Sequence, residues 1–211
     1  MNVSPAKENI LKKIRKALTQ STPLPFPQSE GNSSVFQPSK QDLEVEFAEQ
    51  FTKLTGKFIF CLTWQELALQ LGAVAAHNNW QHIYCQETEL AKTLAANGFA
   101  PPPHDSVNTC DAAVTTCESL IARTGSIVMS AAGASGRTVS VYAPIHVCIA
   151  RTNQLVYDVK DGIQLVKEKY GAQLPSLITF ATGPSRTADI EKTLVVGVHG
   201  PKEVYVFLVD Q

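Results

Sequence analysis

No Cys-x-x-Cys pair occurs in these 211 residues, and the five cysteines, Cys61, Cys85, Cys110, Cys117 and Cys148, are odd in number and scattered. A zinc ribbon or a ferredoxin-type cluster therefore has no ligand framework here, and a secreted disulfide scaffold would be shorter and denser in cysteine. Reduced, mostly buried thiols are the expectation. Charge of one sign is also lacking: 18 basic residues face 19 acidic ones, for a net charge of −1. Nucleic-acid binding normally needs a basic surplus, so it is excluded as the main activity. No apolar run reaches the ~20 residues that cross a bilayer. The basic N-terminal stretch has no apolar core of a secretory signal, and a cytoplasmic location is the default. H-E-x-x-H, G-x-S-x-G and G-x-G-x-x-G are all missing, which removes the motif-based enzyme classes. Internal repeats and low-complexity tracts are missing too.

What is present is a chain with 44% hydrophobic residues, enough to bury a sizeable core in one domain with a small appendage. Residues 4–19 read as a helix, with Ile10, Leu11, Ile14 and Leu18 on one stripe and five basic residues around it. Residues 20–39 are rich in Pro, Ser, Gln and Asn and read as a linker. This divides the chain into an N-terminal helix with a Pro-rich linker, 1–39, and a main domain, 40–211.

In the main domain helices and strands alternate. Leu43, Phe47, Phe51 and Leu54 predict a helix ending at Gly56; strands follow at Phe58–Cys61 and His82–Cys85, and helices at Thr63–Asn79 and Thr88–Asn97. Further strands are expected at Ala112–Thr115, Ser126–Ser130, His146–Ala150, Gln154–Tyr157, Leu177–Thr182 and Glu203–Val209, with a helix at Asp161–Tyr170. The alternation implies an α/β fold, a mostly parallel sheet flanked by helices. The crowded strands in the middle of the chain imply an antiparallel addition.

The densest chemistry lies near the C-terminus, in Gly183-Pro184-Ser185-Arg186-Thr187-Ala188-Asp189-Ile190 and Gly197-Val198-His199-Gly200-Pro201. The first block follows a strand and reads as a turn into a helix, with Thr182 or Ser185 as cap. Free amides at a helix N-terminus attract anions, and Arg186 adds a permanent charge; ordinary capping is the alternative. In the second block Gly197 and Gly200 allow close approach to His199, whose imidazole can serve as acid, base or donor. Ser130–Arg137 is a loop of small residues whose amides could form an anion nest beside Arg137. Thr124-Gly125-Ser126, after Arg123, resembles a phosphate-type turn. Glu118 is the best isolated carboxylate and reads as the first turn of a short helix. His146 stands at the entry to an apolar strand, where a structural role is the commoner one. His77 and His82 straddle a helix-to-strand junction and are not assigned to a metal.

Taken in order, the Thr124-Gly125-Ser126 turn, the Arg137 loop, Pro144-Ile145-His146 and the two C-terminal blocks resemble the LUD domain of the lactate utilization protein C family. The family commonly has an acidic residue where Arg123 stands. The resemblance implies a fold similar to the ribose-5-phosphate isomerase and CoA-transferase superfamily. It also implies a place in a three-component system that oxidises L-lactate to pyruvate, in which another subunit carries the iron–sulfur clusters. Two roles follow. In one the chain is an accessory subunit that binds a small anionic ligand and iron–sulfur partners. In the other it is an enzyme acting on a carboxylate, phosphate or thioester. Thr124, Gly125, Ser126, Arg137, Gly183, Ser185, Arg186, Gly197 and Gly200 would form the ligand site, with His199 or Asp189 as acid or base. No cofactor is expected in the chain itself, and a homo-oligomer is compatible with it.

Overall fold

A computed structural model describes residues 5–19, 38–39, 41–188 and 194–210. The chain divides into two compact units, Met1–Pro38 and Ser39–Gln211. The first contains helix α1 (Pro5–Leu18), amphipathic as its spacing predicts; most of the 20–39 linker lies outside the described residues.

The second unit runs α2 (Leu43–Lys53), β1 (Lys57–Cys61), α3 (Trp64–His77), β2 (Ile83–Tyr84), α4 (Thr88–Ala96), β3 (Ala112–Thr115), β4 (Ser119–Ile121), β5 (Ser126–Ser130), α5 (Val139–Tyr142), β6 (Ile145–Arg151), β7 (Leu155–Val156), α6 (Val159–Tyr170), β8 (Ile178–Ala181), β9 (Arg186–Ala188), β10 (Leu194–Val196) and β11 (Glu203–Val209). Five strands form a wholly parallel central sheet in the order β1-β11-β6-β3-β2. The expected antiparallel addition is a sheet of its own, β7-β4-β5-β8, in which β4-β5 and β5-β8 pair antiparallel but β7 joins β4 in parallel, and β9 pairs with β10 as a separate hairpin.

The central strands read as near-continuous apolar runs because both of their faces are covered. In β11, Tyr205, Phe207 and Val209 pack with Leu67 and Leu71 of α3 and Leu90 and Leu94 of α4, while Val204, Val206 and Leu208 face Phe47 and Phe51 of α2 and the second sheet. The same alternation splits Val147 and Ile149 of β6 from Cys148 and Ala150. On its far side, the second sheet packs Ile121 and Val128 against Val166 of α6. Helix α6 begins at Asp158, whose carboxylate accepts a hydrogen bond from the Lys160 amide at 3.2 Å and an ion pair from Arg123. Its carboxyl group is buried, which alone would raise its pKa, yet the Arg123 guanidinium and the helix amides hold it below the usual carboxylate value. Asp158→Ala is expected to lower stability by about 1.5 kcal/mol in urea unfolding, since it removes a cap and an ion-pair partner together.

Two expectations need correction. Ser119-Leu120-Ile121 is strand β4, not the start of a helix: its residues are fully buried and pair with β5, so Glu118 precedes a strand. The segment after Gly183 turns into strand β9 through Ala188 rather than into a helix, so Thr182 and Ser185 cap nothing. Antiparallel pairing with Leu194–Val196 satisfies the backbone that a helix would otherwise have satisfied. Among the described residues no helix is long and apolar enough to cross a membrane.

Candidate functional site

The two C-terminal blocks are bonded to each other. The Ser185 amide donates to the Pro201 carbonyl and the Gly197 amide to the Ser185 carbonyl, each at 2.9 Å, while the Lys202 amide reaches the Pro144 carbonyl at 2.8 Å. These bonds seat both blocks at the amino ends of β6 and β11. Gly200 is required for the contact, because a Cβ there would lie 2.8 Å from Cβ of Ser185. Gly183 has φ of 81° and a Cβ on it would meet the Leu54 carbonyl oxygen at 2.8 Å.

A cleft of about 260 Å³ opens beside this junction. Gly183, Ser185, His199 and Gly200 line it, together with Ser140, Thr182 and the fully buried His146. Gly197 lies with Lys202 in an adjoining cleft that shares His199 and Gly200. The imidazole of His146 bonds Thr115 Oγ1 through Nε2 at 2.8 Å, and its Nδ1 has no protein partner. Burial pushes its pKa down from 6.5 to about 4, so the ring is neutral at pH 7.

Of the other expected residues, Arg137, Arg186 and the Thr124-Gly125-Ser126 turn do not line this cleft. Arg186 donates to the Leu54 carbonyl at 2.6 Å and to Thr55 Oγ1 at 3.2 Å, closing the C-terminus of α2 with a positive charge where the helix dipole favours one. The guanidinium of Arg137 donates to Ser176 Oγ on the exposed surface. Gly125, with φ of 60°, places its Cα against the α2 backbone, so the Thr124-Gly125-Ser126 turn is a packing contact. Ser126 still touches the cleft indirectly, as the middle of a hydroxyl chain with Thr124 (2.7 Å) and Thr182 (2.9 Å). Asp189 lies outside the described residues.

A second constellation sits at the opposite, carboxyl ends of the central strands, where ligands of open α/β sheets usually collect. A cleft of about 640 Å³ is bounded there by Trp64, Glu87, Thr116, Cys117, Arg151 and Lys169. Glu118, its side chain 8% exposed, accepts from Lys169 at 2.7 Å, Tyr170 at 2.7 Å and Ser130 at 2.5 Å. Burial raises the pKa of this carboxyl, but Lys169 and the two hydroxyls outweigh it and keep the group ionised. Glu87 accepts from the Thr116 amide and hydroxyl and from Ser135. Sequence reasoning singled out Glu118 but missed Glu87 and Lys169. Glu87 stood between a predicted strand and a predicted helix, which is itself a signal; Lys169 reaches over from α6 and gave none. Among the described residues no group of three His, Cys, Asp or Glu side chains could hold a metal ion.

Residues 45–209 match the sequence profile of the LUD domain. The chain belongs to the LUD domain family. The chain is 34% identical over 110 residues to lactate utilization protein C of Deinococcus radiodurans, covering 52% of this chain and 51% of that protein. It is 37% identical over 101 residues to lactate utilization protein C of Bacillus licheniformis, covering 46% and 42%. The aligned part thus spans about half the length of these relatives. In three dimensions it is similar to the crystal structure of a DUF162 family protein from Deinococcus radiodurans, with a TM-score of 0.60 at 20% identity, over 82% of this chain and 99% of that one. That likeness concerns the fold.

Proposed function

We propose that this LUD-domain chain is an accessory subunit of a cytoplasmic system that oxidises L-lactate to pyruvate. It binds a small anionic ligand and docks on iron–sulfur subunits. The observation that carries this reading is the LUD-domain match from residue 45 to residue 209, joined to relatives named lactate utilization protein C. The amino-end cleft supports the ligand part, because its two C-terminal blocks are hydrogen-bonded into one wall around His146 and His199. The test is affinity purification of the tagged chain from its own host grown on L-lactate. Iron-containing subunits are expected to co-purify in stoichiometric amounts; a chain that emerges alone at native expression level overturns the assembly.

A second reading, an enzyme acting on a carboxylate, phosphate or thioester, is favoured by one observation. Glu118 is bonded to Lys169 and Tyr170, and Glu118, Lys169 and Glu87 line a small pocket of about 80 Å³ that shares Glu87, Thr116, Cys117 and Lys169 with the carboxyl-end cleft. If that cluster performs proton transfer, Glu118→Gln should lower turnover of the assembled system by at least about a hundredfold. An unchanged rate in the folded variant leaves the accessory role alone standing.

A further inference from the structure

Two of the five cysteines meet. Cys148, in the middle of β6, is 0% exposed and belongs to the apolar cluster of Phe47, Phe51 and Val206. Cys117 packs against the same cluster from the link between β3 and β4. The strand register brings the two together. Thr115, the last residue of β3, pairs with Cys148, and Cys117 follows two residues later. Both cysteines are free, and their thiols are in hydrogen-bond contact. That contact, together with burial, holds the Cys148 thiol well above its ordinary pKa.

The two sulfurs differ in access. Cys117 is half-buried and lines both the carboxyl-end cleft and the small pocket beside it. Cys148 lines neither, so an oxidant arriving through the cleft reaches Cys117 first. A thiol oxidised alone can pass on to irreversible acids, whereas one with a second thiol in contact is captured as a disulfide. Bonding needs the sulfurs at about 2.05 Å. Thiols already in contact reach that by a small shift, and Cys117 sits outside both strands, where the backbone can give. We propose that Cys117 and Cys148 form a redox-active dithiol, in which Cys117 reacts with hydrogen peroxide and Cys148 closes the disulfide.

In the first step the Cys117 thiolate attacks one peroxide oxygen and the O–O bond breaks. The sulfur gives up two electrons and becomes a sulfenic acid, while the departing hydroxide takes the proton that Cys117 lost and leaves as water. In the second step the Cys148 sulfur attacks the Cys117 sulfur and the S–O bond breaks. The hydroxyl departs with the Cys148 proton as a second water, and that proton is at hand because Cys148 is kept protonated. One peroxide is thereby reduced to two waters as two thiols become one disulfide. Contact makes the second step intramolecular, so it outpaces a second encounter with peroxide. The bond fastens the β3–β4 link to β6 beside the carboxyl-end cleft.

The test treats the reduced full chain at pH 7 with one equivalent of hydrogen peroxide. It is expected to lose two titratable thiols, with Cys117 and Cys148 joined in the peptide map by mass spectrometry and both thiols restored by dithiothreitol. In Cys148→Ala the sulfenic acid on Cys117 has no thiol to close on, and dimedone should label it at least about tenfold more than in the wild type. Should that variant fail to fold, the wild-type map decides by itself. Four results overturn the assignment: both cysteines still free, a sulfinic acid on Cys117 with Cys148 unlinked, a bond from Cys117 to any other cysteine, or dimedone labelling no higher in the folded variant. The iron–sulfur assembly and the amino-end cleft do not enter this experiment, so its failure leaves them untouched.

Discussion

Gly125→Ala is expected to lower the unfolding free energy by about 4 kcal/mol. Gly125 has φ of 60°, a conformation that disfavours any Cβ by about 1–2 kcal/mol, and that Cβ would stand 2.6 Å from the Phe51 amide nitrogen and 2.9 Å from its Cα. Neither neighbour is the end of a flexible side chain. The α2 backbone would have to retreat, withdrawing Phe47 and Phe51, both 0% exposed, from the core shared with Leu120 and Ile127. Overpacking of that kind adds about 1–3 kcal/mol. Urea unfolding followed by circular dichroism measures the difference. A loss under about 1 kcal/mol would mean that the turn and α2 are not in contact. Gly136→Ala is the control: its φ of 61° is equally unfavourable, but nothing lies within 4 Å, so it should lose only the conformational part.

The second large effect is in acid. His146 titrates at about 4 in the folded protein and at its ordinary 6.5 when unfolded. Its folded pKa is depressed, so between those values the unfolded chain takes up a proton that the folded one refuses. Stability from this group is therefore complete above about pH 6.5 and drains away as the pH falls toward 4. Between pH 7.5 and 5 the loss is about 2 kcal/mol. The His146→Asn variant should lack that component, so the wild-type and variant stability curves converge as the pH falls. Should the variant fail to fold, the ring nitrogens of the wild type still give the answer: they remain those of a neutral imidazole at pH 5. A His146 that is protonated at pH 5.5 in the folded protein would contradict the account.

How far the sequence reached differs between the fold and the site. Strands β3, β5 and β11 were predicted at their observed bounds, because runs such as Val-Tyr-Val-Phe-Leu-Val have no helical periodicity and are buried on both faces. Strand β4 was missed because three residues, Ser-Leu-Ile, are too few to show any period. The helix expected after Gly183 failed for a different reason. Local turn chemistry favoured a cap, while the pairing of Arg186–Ala188 with Leu194–Val196 is a longer-range choice.

For the site, the glycines and prolines of the two C-terminal blocks were informative because they fix backbone paths. Their Gly-Pro turns do hold Ser185, His199 and Gly200 around one cleft. The arginines misled, since a guanidinium that closes a helix C-terminus is indistinguishable in sequence from one that waits for an anion. Arg186 on Leu54 is the first kind. His146 drew little weight as a lone histidine beside a strand, and only its burial with an orphaned Nδ1 sets it apart.

Strand β11, residues 203–209, lies between β1 and β6 and supplies six buried side chains to the two largest clusters of the core. During translation β1 emerges long before this partner exists, and β6 waits with one edge unpaired until residue 209 has left the ribosome. The nascent chain must therefore hold α2, α3 and their apolar faces in an incomplete state, exposed to chaperones or to aggregation, until synthesis of this strand is finished. A premature stop between Arg151 and Glu203 would not give a trimmed domain but one split down its middle, with the edges of β1 and β6 facing each other across the gap.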